Sequence, residues 1–241
     1  MTAVTVALVV TLSACDGGGG RRSGGSSGGS DGGSGSSADK HDDDDLNLDD
    51  LGDAGSAGGT GTDEEPEDAL PATEETANAI LPDLPALEGT VFTVSGGRGD
   101  TGFCQQYTSA CGSVAAQSQI GFLNAAEDEI AAFQLLAHDS AADAGVTLAN
   151  AEDEVGADET FGAGGLAAAG DDGASYVITE GGEQVAYVTF VQRGPYVGIV
   201  THSAEDPSVL RDTSVAESLN AMLDARMTQA TAGQQPTATV G

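Results

Sequence analysis

The feature that most constrains the fold is a long stretch, from Asp16 to about Pro71, built almost entirely of Gly, Ser, Asp, Glu, Ala and Thr. Its only large apolar side chains are Leu46, Leu48, Leu51 and Leu70. Ordering a residue costs about 1–2 kcal/mol, and a segment with so little apolar surface to bury cannot offset that cost. We therefore expect a disordered, acidic Gly/Ser-rich tether over residues 15–87, one folded domain over 88–230 and a disordered tail over 231–241.

The charge of the chain restricts its partners. The formal net charge is −32, with 39 Asp and Glu residues against 7 Lys and Arg residues. Such a field repels phosphate backbones, so nucleic acid is not an expected partner. Weak association with cations or with a basic partner is expected, unless the carboxylates serve only to keep the protein soluble.

One acidic segment imitates a calcium-binding loop. Asp45 to Asp50 places oxygen donors at alternate positions, but the loop requires Gly at its sixth position and Glu at its twelfth. Those positions are Asp50 and Ser56. The sequence therefore predicts no defined metal site.

The N-terminus has the pattern of a secretion signal. Its apolar run of about a dozen residues is shorter than the roughly 20 that a membrane-spanning helix needs, and it fits a signal peptide over residues 1–14. Leu12-Ser13-Ala14-Cys15 resembles the lipobox of bacterial lipoproteins. This resemblance implies that Cys15 becomes the mature N-terminus and carries a diacylglyceryl group at the extracytoplasmic face of the cell membrane. No Lys or Arg precedes the run, unlike in most signal peptides, and the alternative is a chance match in a cytosolic protein.

A glycine-rich motif follows a short β-branched run. The spacing Gly97-x-Gly99-x-x-Gly102 imitates a dinucleotide-binding loop, in which the third glycine starts a helix and an acidic residue follows about 20 residues later. Here another glycine soon interrupts the chain, and Gly121, Phe122 and Leu123 stand near the acidic position. We therefore expect a solvated turn and no cofactor.

Two cysteines remain in the domain if Cys15 carries lipid. A single disulfide between Cys104 and Cys111 suits an oxidising compartment. On one continuous helix their Cα atoms would lie about 10 Å apart, beyond the roughly 7 Å that a disulfide tolerates. The chain between them must therefore turn back, and the bridge would be structural.

The first half of the domain predicts one strand and one helix. We expect a strand over 116–123, with the end of a helix as the alternative. A helix is expected over 125–143, where Asn124 and Glu127 match a capping box and Gly145 supplies a stop. Residues 146–173 show no strong periodicity.

The second half predicts three antiparallel strands and a closing helix. The strands are expected over 176–179, 184–192 and 196–202, joined by turns at Gly181-Gly182 and Gly194-Pro195. The helix is expected to open at Asp206-Pro207, with a second capping-box pattern at Ser214 to Glu217. Its core face would be Val215, Leu219, Met222, Leu223 and Met227.

This order of elements predicts the α+β class, with a small antiparallel sheet and helices packed mainly on one face. The hairpin FVQRGPYVGIVTH and the closing helix LNAMLDARM resemble the extracytoplasmic domains of lipoproteins and sensor-like proteins of high-GC Gram-positive bacteria, over residues 113–229. The resemblance implies a location and a fold, but no catalytic residues.

Strand alternation places Tyr187, Tyr196 and His202 on one face of the hairpin. Both faces are more apolar than a solvated face would be. Either a second layer covers this face, which is the commoner arrangement in a monomer, or the three residues mark a binding face. Ser203 and Asp206 follow His202, but adjacency in sequence does not assemble a catalytic triad.

Together these patterns predict a cell-envelope lipoprotein that presents a ligand- or partner-binding extracytoplasmic domain, without catalysis. Its expected partners are the membrane, through the lipid on Cys15, and an envelope ligand or protein. The alternatives are an envelope hydrolase built around His202 and a structural spacer protein.

Overall fold

The computed structural model describes residues 69–99, 103–106, 108–167 and 169–241. The expected leader over 1–14, the lipid-bearing Cys15 and the acidic segment Asp45 to Asp50 lie outside the described residues.

Within these ranges the chain forms seven strands and four α-helices. The strands are β1 Phe92–Gly99, β2 Val114–Asn124, β3 Glu129–His138, β4 Phe161–Ala163, β5 Asp172–Glu180, β6 Glu183–Arg193 and β7 Tyr196–Ala204. The helices are α1 Glu74–Ile80, α2 Phe103–Gln106, α3 Ala141–Gly156 and α4 Ser214–Thr231. Three 3₁₀ turns lie at Leu84–Leu87, Thr108–Cys111 and Val209–Arg211.

All described strands join one antiparallel sheet in the order β1-β2-β3-β7-β6-β5-β4. The fold is therefore α+β, as the sequence predicts. The central strands β3 and β7 run side by side, with Phe133 opposite Val200 and Leu135 opposite Gly198.

Helices cover both faces of the sheet, so the prediction of helices mainly on one face is wrong. Helix α3 packs on one face, where its apolar residues meet Leu136, Phe190 and Ile199. Helices α1 and α4 pack on the other face, over Phe133 and Tyr196. Successive side chains of a strand point to opposite faces of the sheet. Because the strands carry apolar side chains at both sets of positions, both faces must be covered.

Most predicted strands are confirmed. Strand β2 contains the expected strand 116–123, and β5 to β7 contain the other three. The two turns are also confirmed, because Gly181, Gly182 and Gly194 all have positive φ angles, of 59°, 88° and 53°. Glycine adopts this conformation without the steric cost that a side chain brings.

The predicted helix 125–143 is wrong, because most of this segment is strand β3. The Asn124 side chain does not cap a helix but closes a hairpin turn. Its Oδ1 accepts from the Asp128 amide at 3.1 Å, its Nδ2 donates to the Asp128 carboxylate at 2.6 Å, and Glu127 sits at φ 61°. A short run that is apolar on both strand faces has no clear period, so it also matches a helix.

Helix α3 extends into the segment 146–173, which shows no strong helical periodicity in sequence. Helix α3 begins at Ala141, after the N-cap Ser140, whose hydroxyl accepts from the Asp143 amide at 3.1 Å. The helix runs through Gly145, the residue predicted to stop a helix. An added Cβ at Gly145 would lie 3.5 Å from Oε1 of Gln192. Gln192 in turn donates to the Ala141 carbonyl at 2.9 Å, so this glycine lies where β6 meets the first turn of α3.

Both predicted domain boundaries are wrong. Residues 74–87, assigned to the tether, form α1 and a 3₁₀ turn whose Ile80 and Leu87 are buried. The predicted tail over 231–241 is also attached to the domain, since the Val240 amide donates to the Ala86 carbonyl at 2.9 Å. Each segment is too short and mixed to be identified as folded by composition, and each is fixed by contacts with distant residues.

Two smaller details also differ from prediction. Helix α4 begins at Ser214 rather than at Asp206-Pro207, and its five predicted core residues are buried or partly buried. Of the glycines in the nucleotide-like motif, Gly97 and Gly99 lie in edge strand β1, and Gly102 lies outside the described residues. The pairing of β1 with β2 shifts between Ser95 and Gly97, and Gly97 has φ 90°. This is a β-bulge, not the expected turn.

Candidate functional site

The structure brings Tyr187, Tyr196 and His202 to one sheet face, as predicted, and then covers that face. Their exposed fractions are 6%, 0% and 1%. Tyr187 packs against Leu210 and the start of α4, and Tyr196 lies beneath α4 itself. The hypothesis of an open binding face at these residues is therefore wrong, and the alternative of a second layer holds.

Tyr196 acts as an internal attachment point. Its hydroxyl donates to the backbone carbonyl of Leu70 at 2.6 Å. Burial raises the pKa of Tyr196 to about 12, since the phenolate would lose its hydration. The residue therefore stays neutral and fixes the backbone at Leu70 to β7.

His202 forms a buried hydrogen-bonded pair with Glu129 of β3. The His202 Nε2 and Glu129 Oε1 atoms are 2.7 Å apart, and the Phe92 ring meets the imidazole edge-on with centroids 5.9 Å apart. The other ring nitrogen, Nδ1, is buried and has no hydrogen-bond partner. Sequence reasoning missed Glu129, although a glutamate at the start of an apolar run is the signal that could have identified it.

A second buried polar contact lies between α4 and β6. Asn220 of α4 donates from Nδ2 to the Thr189 hydroxyl at 3.0 Å, while its Oδ1 is buried without a partner. The Asn220 contact joins α4 to β6 through a hydrogen bond as well as apolar packing. Buried polar pairs of this kind favour one specific packing of the helix over others.

The arrangement around His202 resembles half of a Glu-His-nucleophile triad. A nucleophile would have to approach Nδ1, which is buried. Ser203 is the next residue of the strand and so lies on the opposite face, while the carboxylate of exposed Asp206 accepts from the Ser208 amide at 2.9 Å. The three residues that are adjacent in sequence do not converge.

His138, at the end of β3, is the second buried histidine. Its Nδ1 lies 3.1 Å from the Ser113 carbonyl oxygen and 3.3 Å from the Ser113 hydroxyl, and its Nε2 has no partner. Burial lowers the pKa of His138, and the Ser113 carbonyl, Asp143 and Asp139 oppose this only in part. The neutral imidazole is therefore favoured in the folded state.

We expect acid to destabilise the protein through His138. Because its pKa in the folded state lies below the unfolded value of 6.5, the stability it contributes is complete above that pH and is lost as pH falls through the folded pKa. Urea unfolding at a series of pH values should show a steeper decline below about pH 6.5 in the wild-type protein than in His138→Gln. Equal slopes in the two proteins would contradict this assignment.

The domain cysteines are placed at bonding distance. The sulfur atoms of Cys104 and Cys111 are 2.10 Å apart and their Cα atoms 5.5 Å apart. Helix α2 and the following 3₁₀ turn reverse the chain between them, as a seven-residue separation requires. The pair packs at the edge of the layer under α3, near Phe103 and Ala110.

The described surface is strongly acidic. The described residues contain no lysine and four arginines, namely Arg98, Arg193, Arg211 and Arg226. Arg193 pairs with Asp224 at 2.8 Å and with Asp171 at 2.6 Å, and Arg226 is buried. Of these arginines, Arg98 and Arg211 are exposed, and they lie on a surface that is otherwise rich in carboxylates.

Among the described residues, no three His, Cys, Asp or Glu side chains are arranged to hold a metal ion.

Around α3 and β5 the carboxylates are crowded. Burial, with added repulsion from Asp172 and Asp153, raises the pKa of Glu152. In the part of the chain that the structure covers, no helix is both long and apolar enough to cross a membrane.

Neither the scan against protein-family models nor the search of curated proteins gives a match.

Proposed function

We propose that this protein is a lipid-anchored protein of the bacterial cell envelope that displays one α+β domain on a disordered, acidic tether and binds a partner through that domain without catalysis. The observation that carries the proposal is the lipobox-like Leu12-Ser13-Ala14-Cys15 followed directly by a segment with few core-forming side chains. Two acyl chains anchor a protein stably where one does not.

The position of the folded region supports this arrangement. Leu70 packs against the core of the domain, and the acidic Gly/Ser-rich segment lies between it and Cys15 in the sequence. A coil of about 50 residues between Cys15 and that point has an end-to-end distance of roughly 40 Å, and its acidic residues extend it further. The tether would therefore hold the domain clear of the membrane surface.

The surface chemistry supports a cationic partner. Both faces of the sheet are covered by helices, so a partner would contact the outer surfaces of helices, the loops or the edges of the sheet. These surfaces carry many carboxylates and, among the described residues, two exposed arginines. Electrostatic complementarity then favours a basic partner and makes its association sensitive to salt.

The proposal predicts a modification at Cys15. In the native bacterium, the intact protein should enter the detergent phase on phase separation, and its N-terminal peptide should carry acyl mass at Cys15. Cys15→Ser should remove both properties, because serine offers no thiol for the thioether. Cys104→Ser is the matched control and should keep both.

Recovery of wild-type protein in the aqueous phase, with an unmodified Cys15, would contradict the anchor. Cross-linking in the same cells addresses the partner. A specific adduct supports a binding domain, whereas no adduct under any salt condition supports the structural spacer.

A further inference from the structure

Arg226, on the inner side of α4, is buried and donates to backbone carbonyls. It is 6% exposed. Its Nε donates to the Ile80 oxygen at 2.6 Å, its Nη2 to the Ala79 and Leu81 oxygens at 2.9 and 3.2 Å, and its Nη1 to the Ala238 oxygen at 2.9 Å. One side chain thus joins the end of α1, helix α4 and the C-terminal residues.

The geometry explains how a guanidinium is tolerated there. Burying a charge is costly unless its donors are satisfied. The last carbonyls of a helix have no partner within the helix and carry partial negative charge, so α1 supplies acceptors where Arg226 needs them. Burial lowers the pKa of Arg226, but an arginine remains protonated in proteins.

The same part of α4 holds both segments by further bonds. The Leu70 amide donates to the Ala230 carbonyl at 2.9 Å. The Gln229 side-chain oxygen accepts from the amides of Thr237 and Ala238 at 2.7 and 3.1 Å. Residues 226–230 of α4 are therefore the common attachment for residues 70–88, which we name the tether root, and for the C-terminal residues.

The tether root depends on this attachment. Helix α1 has seven residues, and a helix of this length is marginal by itself. Its apolar residues, with those of the following 3₁₀ turn, are buried only because the root lies on the sheet: Ala77, Ile80, Leu81, Ala86 and Leu87.

We propose that Arg226 is a latch, a side chain that fixes the tether root to α4. Tension on the tether is then transmitted to the core of the domain and does not detach the root from α4. The proposal rests on the function proposed above, because tension arises only if the N-terminal side is anchored. Lysine cannot replace this arginine, since it lacks the planar fork that reaches several carbonyls at once.

Single-molecule pulling on the mature chain tests the latch. Handles would be attached at Cys15 and at a cysteine introduced by Val146→Cys, an exposed position of α3. Force then enters the domain through the root, and the C-terminal residues lie outside the loaded part of the chain. Wild-type protein should extend in one step. Arg226→Met and Arg226→Lys should first release the root, an extension of roughly 50–60 Å, at lower force, with the later core event unchanged.

Arg211→Met is the matched control, because it removes an exposed arginine, and it should behave as the wild type. An early extension in the wild-type protein would overturn the latch, as would single-step unfolding of both Arg226 variants at the wild-type force or at one uniformly lower force. If neither variant folds, the wild-type trace alone decides between one step and an early release.

The failure of the latch can be told apart from the failure of the anchor. The pulling experiment uses chains without lipid and reads only the attachment of the root. If the pulling traces are as expected but Cys15 is unmodified in cells, the anchor is rejected and the latch is kept. If Cys15 is acylated but the wild-type protein shows an early extension, the latch is rejected and the anchor is kept.

Discussion

Replacing His202 by phenylalanine is expected to destabilise the folded domain by about 3–5 kcal/mol, the cost of leaving one member of a buried polar pair without its partner. The substitution removes the 2.7 Å bond to Glu129, a residue that is only 6% exposed. The chain has no tryptophan, so urea unfolding followed by circular dichroism is the suitable measurement.

The double variant Glu129→Met with His202→Phe is the control for this result. Replacing a buried polar pair by apolar residues of similar volume is often close to neutral, so the double variant should recover most of the lost stability. A loss of under about 1 kcal/mol in His202→Phe would show that the pair does not contribute as its burial implies.

Truncating Phe133 to alanine is expected to cost about 3–5 kcal/mol, because the ring is fully buried under α1 and α4 and its loss leaves a cavity. Leu136→Ala should cost about 2–5 kcal/mol through the other layer, where Leu136 packs with α3. The same unfolding measurement applies. Val94→Ala, on the exposed side of β1, is the control and should stay within about 0.5 kcal/mol of wild type.

This pair also distinguishes strand from helix. On a helix, Phe133 and Leu136 would be neighbours on one face and their substitutions would couple. On β3 they lie on opposite faces, so the milder variants Phe133→Leu and Leu136→Val should give additive losses within about 0.5 kcal/mol. Strong coupling between them would contradict the strand.

The candidate site could be predicted only in part. Strand alternation correctly placed Tyr187, Tyr196 and His202 together, because side chains on a strand alternate with a fixed period of two. Whether that face is open depends on where α4 docks, and this is settled by the packing of distant residues. Glu129 and Arg226 gained their roles only when the chain brought them to His202 and to the end of α1.

By itself the sequence determined the features that local chemistry controls. Paired glycines at positive φ specified the hairpin between β5 and β6, and helical spacing specified the core face of α4. The composition of the segment rich in Gly, Ser and carboxylates predicts that the core lies in the rest of the chain. These signals act over a few residues and need no partner elsewhere.

Only the tertiary structure decided three further points: that β3 is a strand, that α3 lies beyond it, and that the tether root and the C-terminal residues belong to the domain. A run that is apolar on both faces packs equally well as a strand or as a helix until neighbouring strands offer hydrogen bonds. The root is held by Arg226 and Ala230, more than 100 residues along the chain from it, and Val240 of the C-terminal residues donates to the equally distant Ala86. No local pattern encodes such contacts, because their stability comes from a partner that only the folded chain supplies.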